Sequence, residues 1–170
     1  MTNLVSKIID WQGHKVKFTW IPDVDPAKYT PFFQVYGIVF NDDGQVLIIN
    51  ENDRWGIPGG TPENNETAQE TLEREMMEEA DVTLKNIQFI GAQLTEFLDG
   101  DNPNKKQGNS FYQMRFIADI DRLQIQTPDP DGGETHPRKF VPLEELNGIV
   151  KWGETGDAIF RSAFETHKKD

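Results

Sequence analysis

Apolar and polar positions change period several times along the chain, and each change marks an element. Val16, Phe18 and Trp20 alternate with Lys15, Lys17 and Thr19, the period-two pattern of a half-buried strand. Residues 4–21 (LVSKIIDWQGHKVKFTWI) therefore predict two short strands around Gln12-Gly13. Pro22, Pro26 and Pro31 break the pattern and end this segment. Phe32 to Phe40 and Gln45 to Asn50 are rich in Val and Ile and are joined by Asn41-Asp42-Asp43-Gly44, a hairpin signal. Glu66 to Ala80 has neither Gly nor Pro and consists mostly of good helix formers, so it predicts a helix. At about 100° per residue, Ala68, Leu72, Met76 and Ala80 fall on one ridge, the expected buried stripe. Val82 to Leu98 and Ser110 to Ile120 predict two more strands, the first with an irregularity at Gly91. The polar stretch Asp99 to Asn109 between them reads as a loop, either a substrate lid or a solvated connection. Thr127 to Pro137 (TPDPDGGETHP) is another loop, ahead of a helical turn near Leu143 to Leu146. A last helix is predicted over Gly156 to Lys168, with Ala158, Ile159, Ala163 and Phe164 on one side.

Length and composition narrow the class. A chain of 170 residues can bury one real core. No apolar run reaches the 18 or so residues of a membrane-spanning helix. The first residues, MTNLVSKIIDW, lack the basic start and apolar run of a signal peptide, so a cytoplasmic protein is expected. There is no cysteine, hence no disulfide frame, thiol nucleophile or Cys-bound zinc. With 29 acidic against 17 basic residues the net charge is −12, which argues against nonspecific binding to nucleic acid or to an anionic membrane. A phosphate-bearing substrate would need local cations, from a metal or from a few Arg and Lys.

The acidic charge is densest on the predicted central helix. Glu75, Glu78 and Glu79 fall in one arc of about 100° beside the buried ridge. Like charges at such spacing cost an isolated helix about 0.2–0.5 kcal/mol per pair. No lysine interrupts the arc. A hard divalent cation, Mg2+ or Mn2+, would relieve the repulsion. A solvated acidic face without chemistry is the alternative.

The surrounding spacing decides between these. From Gly60 the chain reads Gly, five residues, Glu66, seven residues, then Arg74-Glu75-Met76, one residue, Glu78-Glu79, and Val82 closes the stretch. Ile57-Pro58-Gly59-Gly60 leads into it. This resembles the Nudix box, the signature of hydrolases that cleave a nucleoside diphosphate linked to another moiety. Asp81 departs from the pattern, standing where the box has its last glycine. That glycine suits a helix end with positive φ, and Asp is among the better substitutes there.

The resemblance implies an α/β fold, a Nudix-type α/β/α sandwich whose central mixed sheet presents the box loop and helix. Residues 31–170 would form that domain, and residues 1–30 an N-terminal extension with a probable hairpin: an added hairpin, a dimerisation arm or a lid. It implies metal-dependent pyrophosphate hydrolysis with Mg2+ or Mn2+ as cofactor. The metal ligands carried over are Glu75, Glu78, Glu79 and the carbonyl of Gly59. Glu75 is also a candidate general base. Gly60, Glu66 and Arg74 are expected to be structural. A further acidic residue often comes from a late loop in this family, which implies Glu134 as a catalytic residue, with Glu96 as rival. Arg54, Trp55, Lys105 and Arg138 are the candidate substrate contacts. Trp55 is equally a core plug, and the basic residues equally solvated.

Marks that divide the family by substrate are not found. The proline of ADP-ribose enzymes is replaced by the Phe97-Leu98 neighbourhood, and the tyrosine of dinucleoside polyphosphate enzymes is missing near Asp99-Gly100. What remains is a small-molecule nucleotide-type substrate, a nucleoside triphosphate or a nucleotide sugar. A homodimer stays compatible with the sequence. Two other classes are a catalytically silent Nudix-fold domain for ligand sensing or protein binding, and a calcium-binding acidic helix. Intact Glu75, Glu78 and Glu79 argue against the silent domain.

Overall fold

The structure is a computed structural model and describes residues 4–169. Nine strands make one mixed sheet: β1 (Val5–Trp11), β2 (His14–Pro22), β3 (Phe32–Phe40), β4 (Val46–Glu51), β5 (Arg54–Gly56), β6 (Gly59–Gly60), β7 (Val82–Phe97), β8 (Ser110–Leu123) and β9 (Arg138–Val141). Three α-helices accompany it: α1 (Ala68–Ala80), α2 (Leu146–Val150) and α3 (Gly153–His167). The strand order is β1-β2-β7-β8-β3-β4-β5, with β6 paired to β3 and β9 to β4. Strands β3 and β8 run parallel, and the other pairs described are antiparallel.

β3 shows how the sheet feeds two cores. Val35 and Val39 pack with Leu72, Met76 and Ala80 of α1. Ile38 and Phe40 point the other way and pack with Ile159, Phe160 and Ala163 of α3. Successive side chains of a strand face opposite sides. A strand covered on both faces therefore reads as a continuous apolar run rather than as an alternation. β4 does the same, with Leu47 and Ile49 on one side and Val46 and Ile48 on the other. The α/β/α sandwich follows from these two strands.

The predicted helix ridge is fully realised: Ala68, Leu72, Met76 and Ala80 are all buried. The helix starts at Ala68 rather than Glu66 because Thr67 caps it. Thr67 Oγ1 accepts from the Glu70 amide at 3.2 Å, and the Glu70 carboxylate accepts from the Thr67 amide at 2.8 Å. This reciprocal pair satisfies two amides that the first turn would leave open. α3 also begins earlier than predicted, at Gly153.

The β3–β4 hairpin holds only at its neck, where Phe40 pairs with Val46. Farther along, β6 takes the edge of β3, with Gly60 opposite Val35 and Gly59 opposite Tyr36. β4 turns instead to β5 and β9. This splay inserts the start of the box into the sheet. The N-terminal hairpin adds two strands to the opposite end, because β2 pairs with β7 from Val16↔Phe97 to Pro22↔Gly91. Among the described residues, no helix is long and apolar enough to cross a membrane.

Asp81 ends α1 in the left-handed conformation, with φ 52° and ψ 47°. It does more than the glycine it replaces. Its buried carboxylate accepts from the Thr127 amide at 2.8 Å and from Thr127 Oγ1 at 2.7 Å. The helix end is thereby tied to the late loop. Removing the acceptor leaves two donors unpaired, at about 1–3 kcal/mol. Asp81→Ala should lower the unfolding free energy by about that much, read as a lower urea midpoint at unchanged slope, and Asp81→Gly by less, because glycine relieves the left-handed strain. Equal midpoints for Asp81→Ala and the unaltered protein would refute this role.

Candidate active site

The half-buried face of α1 is organised by one cation. Arg74 Nε donates to Glu66 Oε1 at 2.7 Å, and Nη2 donates to Glu66 Oε2 at 3.1 Å. Nη1 donates to Glu75 Oε1 at 3.0 Å and to Glu78 Oε2 at 2.9 Å. Nη2 also reaches the Thr61 carbonyl at 2.9 Å. The planar fork of an arginine suits such multiple anchoring. Beside it, Glu66 is held at a pKa of about 2. Glu66 also accepts from the Glu63 amide and from Thr71 Oγ1, which locks the box loop onto the helix.

Glu79 lacks such a partner. Its Oε2 accepts from the Gly59 amide at 2.9 Å, and no ion pair to it is found among the described residues. Burial raises its pKa to about 8, and the charges of Glu75, Glu51 and Asp129 add to the rise. Glu75 is raised as well, chiefly by burial, although Arg74 opposes this. Glu75 lies so close to Gly60 that a Cβ there would land on its carboxylate. A Cβ on Gly59 would strike the Val35 carbonyl. These two glycines let the β6 backbone pass between β3 and the carboxylates.

Asp129 and Glu51 were not singled out from the sequence. Asp129 belongs to the 127–137 loop, and its charge bears on both Glu75 and Glu79. It is held by His136 Nε2 at 3.1 Å, and its Oδ1 accepts from the Asp131 amide at 2.8 Å. Glu134, the loop acid singled out by the resemblance, is exposed, and its carbonyl accepts from the Asp129 amide at 2.7 Å. The turn that faces Asp129 inward thus turns Glu134 outward. Nothing local in TPDPDGGETHP ranks the two acids, because the burial of His136 that orients Asp129 comes from tertiary packing. Glu51 ends β4, one residue before the turn to β5.

Other expected contacts divide. Arg54, Trp55, Gly59 and Glu79 line one cavity of about 440 Å3, together with Tyr36 and Glu51. Lys139 Nζ stands over the Trp55 ring, 4.1 Å from its centre. Arg138 is engaged elsewhere. Its guanidinium donates to the carbonyls of Ala80 and Asp81 at the helix end, and to the Gln124 carbonyl at 2.6 Å. It clasps the C-terminus of α1, where a cation opposes the helix dipole. Lys105 is exposed, pairs with Asp101 at 2.6 Å, and lines neither this cavity nor its neighbour. Glu96 sits on β7 opposite Lys17.

The donor set suits a hard cation in kind: three carboxylates and a backbone carbonyl, with Glu79 lacking a positive partner. It is not a closed cage. No three acidic or histidine side chains among the described residues converge on a common ion position, because Arg74 draws Glu75 and Glu78 toward itself while the Gly59 amide holds Glu79. Ligation by all three would require Arg74 to share Glu75 and Glu78.

Known proteins share the fold. The sequence model of the NUDIX domain matches residues 31–164. A Bacillus subtilis pyrophosphohydrolase, BsRppH, solved as a glutamate-to-alanine variant, superposes with a TM-score of 0.67 at 18% identity, covering 94% of this chain and 97% of that one. A mutator MutT protein from Bacillus halodurans gives 0.52 at 22% identity, covering 75% and 78%. The Caenorhabditis elegans Ap4A hydrolase gives 0.51 at 16%, covering 80% and 98%. At these identities the structures show a shared fold. With the family match across 31–164, the chain belongs to the Nudix hydrolase family.

Proposed function

We propose that this chain hydrolyses a pyrophosphate bond in a nucleoside diphosphate linked to another moiety, with Mg2+ or Mn2+, and that its substrate is a nucleoside triphosphate or a nucleotide sugar. The observation that carries this reading is Glu79: a buried carboxyl without a positive partner, flanked by other acids, on the wall of a 440 Å3 cavity. The named activities of two structural relatives, a pyrophosphohydrolase and an Ap4A hydrolase, agree with it in class.

Glu75, Glu78, Glu79 and the Gly59 carbonyl are the groups that would hold the cation. A bound divalent ion would neutralise phosphate oxygens and lower the pKa of a coordinated water. Arg74 sets the rotamers of Glu75 and Glu78 and fixes the box loop through Thr61 and Glu66. Asp129, steadied by His136, faces the cluster and is placed to take a proton from the attacking water, with Glu75 as the second such group. Arg54 lines the same cavity and offers a cation to the substrate phosphates, while Trp55 offers a ring face.

Two outcomes follow. Glu79→Gln should lower metal-dependent release of phosphate or pyrophosphate by about 10²-fold or more while circular dichroism shows the fold of the unaltered protein. A variant that turns over normally would remove Glu79 from the mechanism. The second concerns pH in the absence of metal. Folding raises the Glu79 pKa from 4.5 to about 8, so between these values the folded state binds more protons than the unfolded one. Stability from this group is thus present at low pH and is lost as pH rises through that window. The urea midpoint of the metal-free protein should fall between about pH 5 and about pH 8, and Glu79→Gln should flatten that fall.

A further inference from the structure

Arg115 is the most deeply buried cation described. It is 2% exposed, and no carboxylate among the described residues pairs with it. An unpaired charge in the interior is costly unless something compensates it. Part of the compensation is visible. The guanidinium lies over the Tyr36 ring at 4.6 Å and the Trp152 ring at 5.1 Å, a cation–π arrangement. Nη1 donates to the Met114 carbonyl at 3.3 Å, and Nη2 to Gln113 Oε1 at 2.8 Å. Nε is buried without a hydrogen-bond partner. An arginine has five N–H donors, so this one has donors to spare.

Nε is enclosed by protein, so the amino groups Nη1 and Nη2 are the donors left for a ligand, and Arg115 lines a second cavity of about 440 Å3, between the sheet and α2–α3. Its walls differ in kind from the rest of the surface. Trp11, Tyr36, Trp55 and Trp152 supply ring faces, and Gln34, Gln93 and Gln113 supply amides. Lys7, Lys151 and Arg115 line it, and among the described residues no Asp or Glu does, in a chain whose net charge is −12. Arg115 covers a face of Tyr36 and of Trp152, and Phe160 stacks on Trp152, so Trp11 and Trp55 are the rings left to meet a planar heterocycle, with amides nearby. The lack of a carboxylate matters most: the charged groups on this wall donate hydrogen bonds and do not accept them.

The cavity also sits at the right place. In the sheet register Gly91, Arg115, Tyr36 and Gly59 lie side by side on β7, β8, β3 and β6. Arg115 is thus two strands from Gly59, whose amide holds Glu79, a span of roughly 10 Å. That is the scale of a ribose and its first phosphates. The two cavities share Tyr36, Trp55, Gly56 and Ile57.

We propose that this second cavity recognises the base of the nucleotide, and that Arg115 selects purines that present the adjacent O6 and N7 acceptors, guanine and hypoxanthine, over adenine. A guanidinium meets that pair of acceptors with two parallel hydrogen bonds. Adenine puts an amino group where O6 would be, so donor would face donor. The N-terminal hairpin contributes to the wall through Lys7, Ile9, Trp11 and Phe18, which gives that segment a role in binding. The inference deepens the hydrolase reading and rests on it for the nucleotide character of the substrate.

Binding without metal tests it independently of turnover. Three of the four tryptophans, Trp11, Trp55 and Trp152, line this cavity, so intrinsic fluorescence reports its occupancy. With EDTA present, the full chain is titrated with GMP, IMP, AMP and inorganic phosphate. GMP and IMP are expected to saturate at concentrations at least about tenfold below AMP, and phosphate to leave the signal unchanged. Arg115→Met removes the donors at similar volume and should erase the preference. If that variant fails to fold, Arg115→Lys keeps the charge without the planar fork and should erase it as well. Equal binding of the three nucleotides, a preference that survives both substitutions, or a phosphate response equal to that of GMP would each overturn the proposal. Hydrolysis of GTP, ITP and ATP with Mn2+ is measured alongside, with the preference expected in KM. Base preference without turnover of these triphosphates or of the matching nucleotide sugars would sink the hydrolase reading alone. Turnover without base preference would sink the present proposal alone.

Discussion

One arginine makes the acidic helix tenable. Glu66, Glu75 and Glu78 all accept hydrogen bonds from Arg74. The helix could not hold these carboxylates close together, partly buried, without a cation at their centre. The same guanidinium reaches back to the Thr61 carbonyl, so the loop and the helix of the box are a single charge-stabilised unit. It reaches Glu78 but makes no ion pair to the adjacent Glu79 among the described residues. The result is a graded cluster in which compensated and uncompensated carboxylates sit side by side, and the uncompensated one borders the open cavity. Because three carboxylates share one partner, the energetic effects of changing them should be strongly coupled rather than additive.

The sheet turns this local unit into a site. β3 is bordered on one side by β8 and on the other by β6 and β4. Through β8 it meets Arg115, and through β6 it meets Gly59. Tyr36, on β3 itself, touches both environments: its ring lies under the Arg115 guanidinium, and its hydroxyl is pushed up in pKa by burial. The acidic end and the cationic end of the combined cavity are thus set by neighbouring positions on adjacent strands, with little room for relative movement. Burial in two cores, one against α1 and one against α3, fixes the strands that carry them.

Much of this was legible in the chain. The ridge of Ala68, Leu72, Met76 and Ala80 and the acidic arc beside it come from helix periodicity, and the structure buries the ridge as that periodicity requires. The β1–β2 hairpin and the long β7 and β8 strands were also readable, since each signal lies within neighbouring residues. Contacts made across the sheet were not. Arg115 sits in an apolar strand segment, FYQMRFIADI, where nothing local shows that its side chain enters a cavity under Trp152. Arg138 reads as a free cation beside a loop, but tertiary packing points it at the end of α1. Within the 127–137 loop, a turn held by backbone bonds between Asp129, Gly133 and Glu134 decides which acid faces inward, and composition alone cannot rank the two.

The hairpin that opens the chain has a consequence for how such a protein can diversify. Four of its residues form part of the wall of one cavity, while none lines the cavity beside Glu79. The carboxylate cluster lies beside Gly59 and Glu79, and part of the neighbouring cavity's wall is supplied by a separate stretch of sequence. Substitutions in that stretch can reshape this wall while leaving the carboxylate cluster untouched. Evolution, or a protein engineer, can therefore treat the flanking ribbon as an exchangeable module clipped to the edge of a fixed engine.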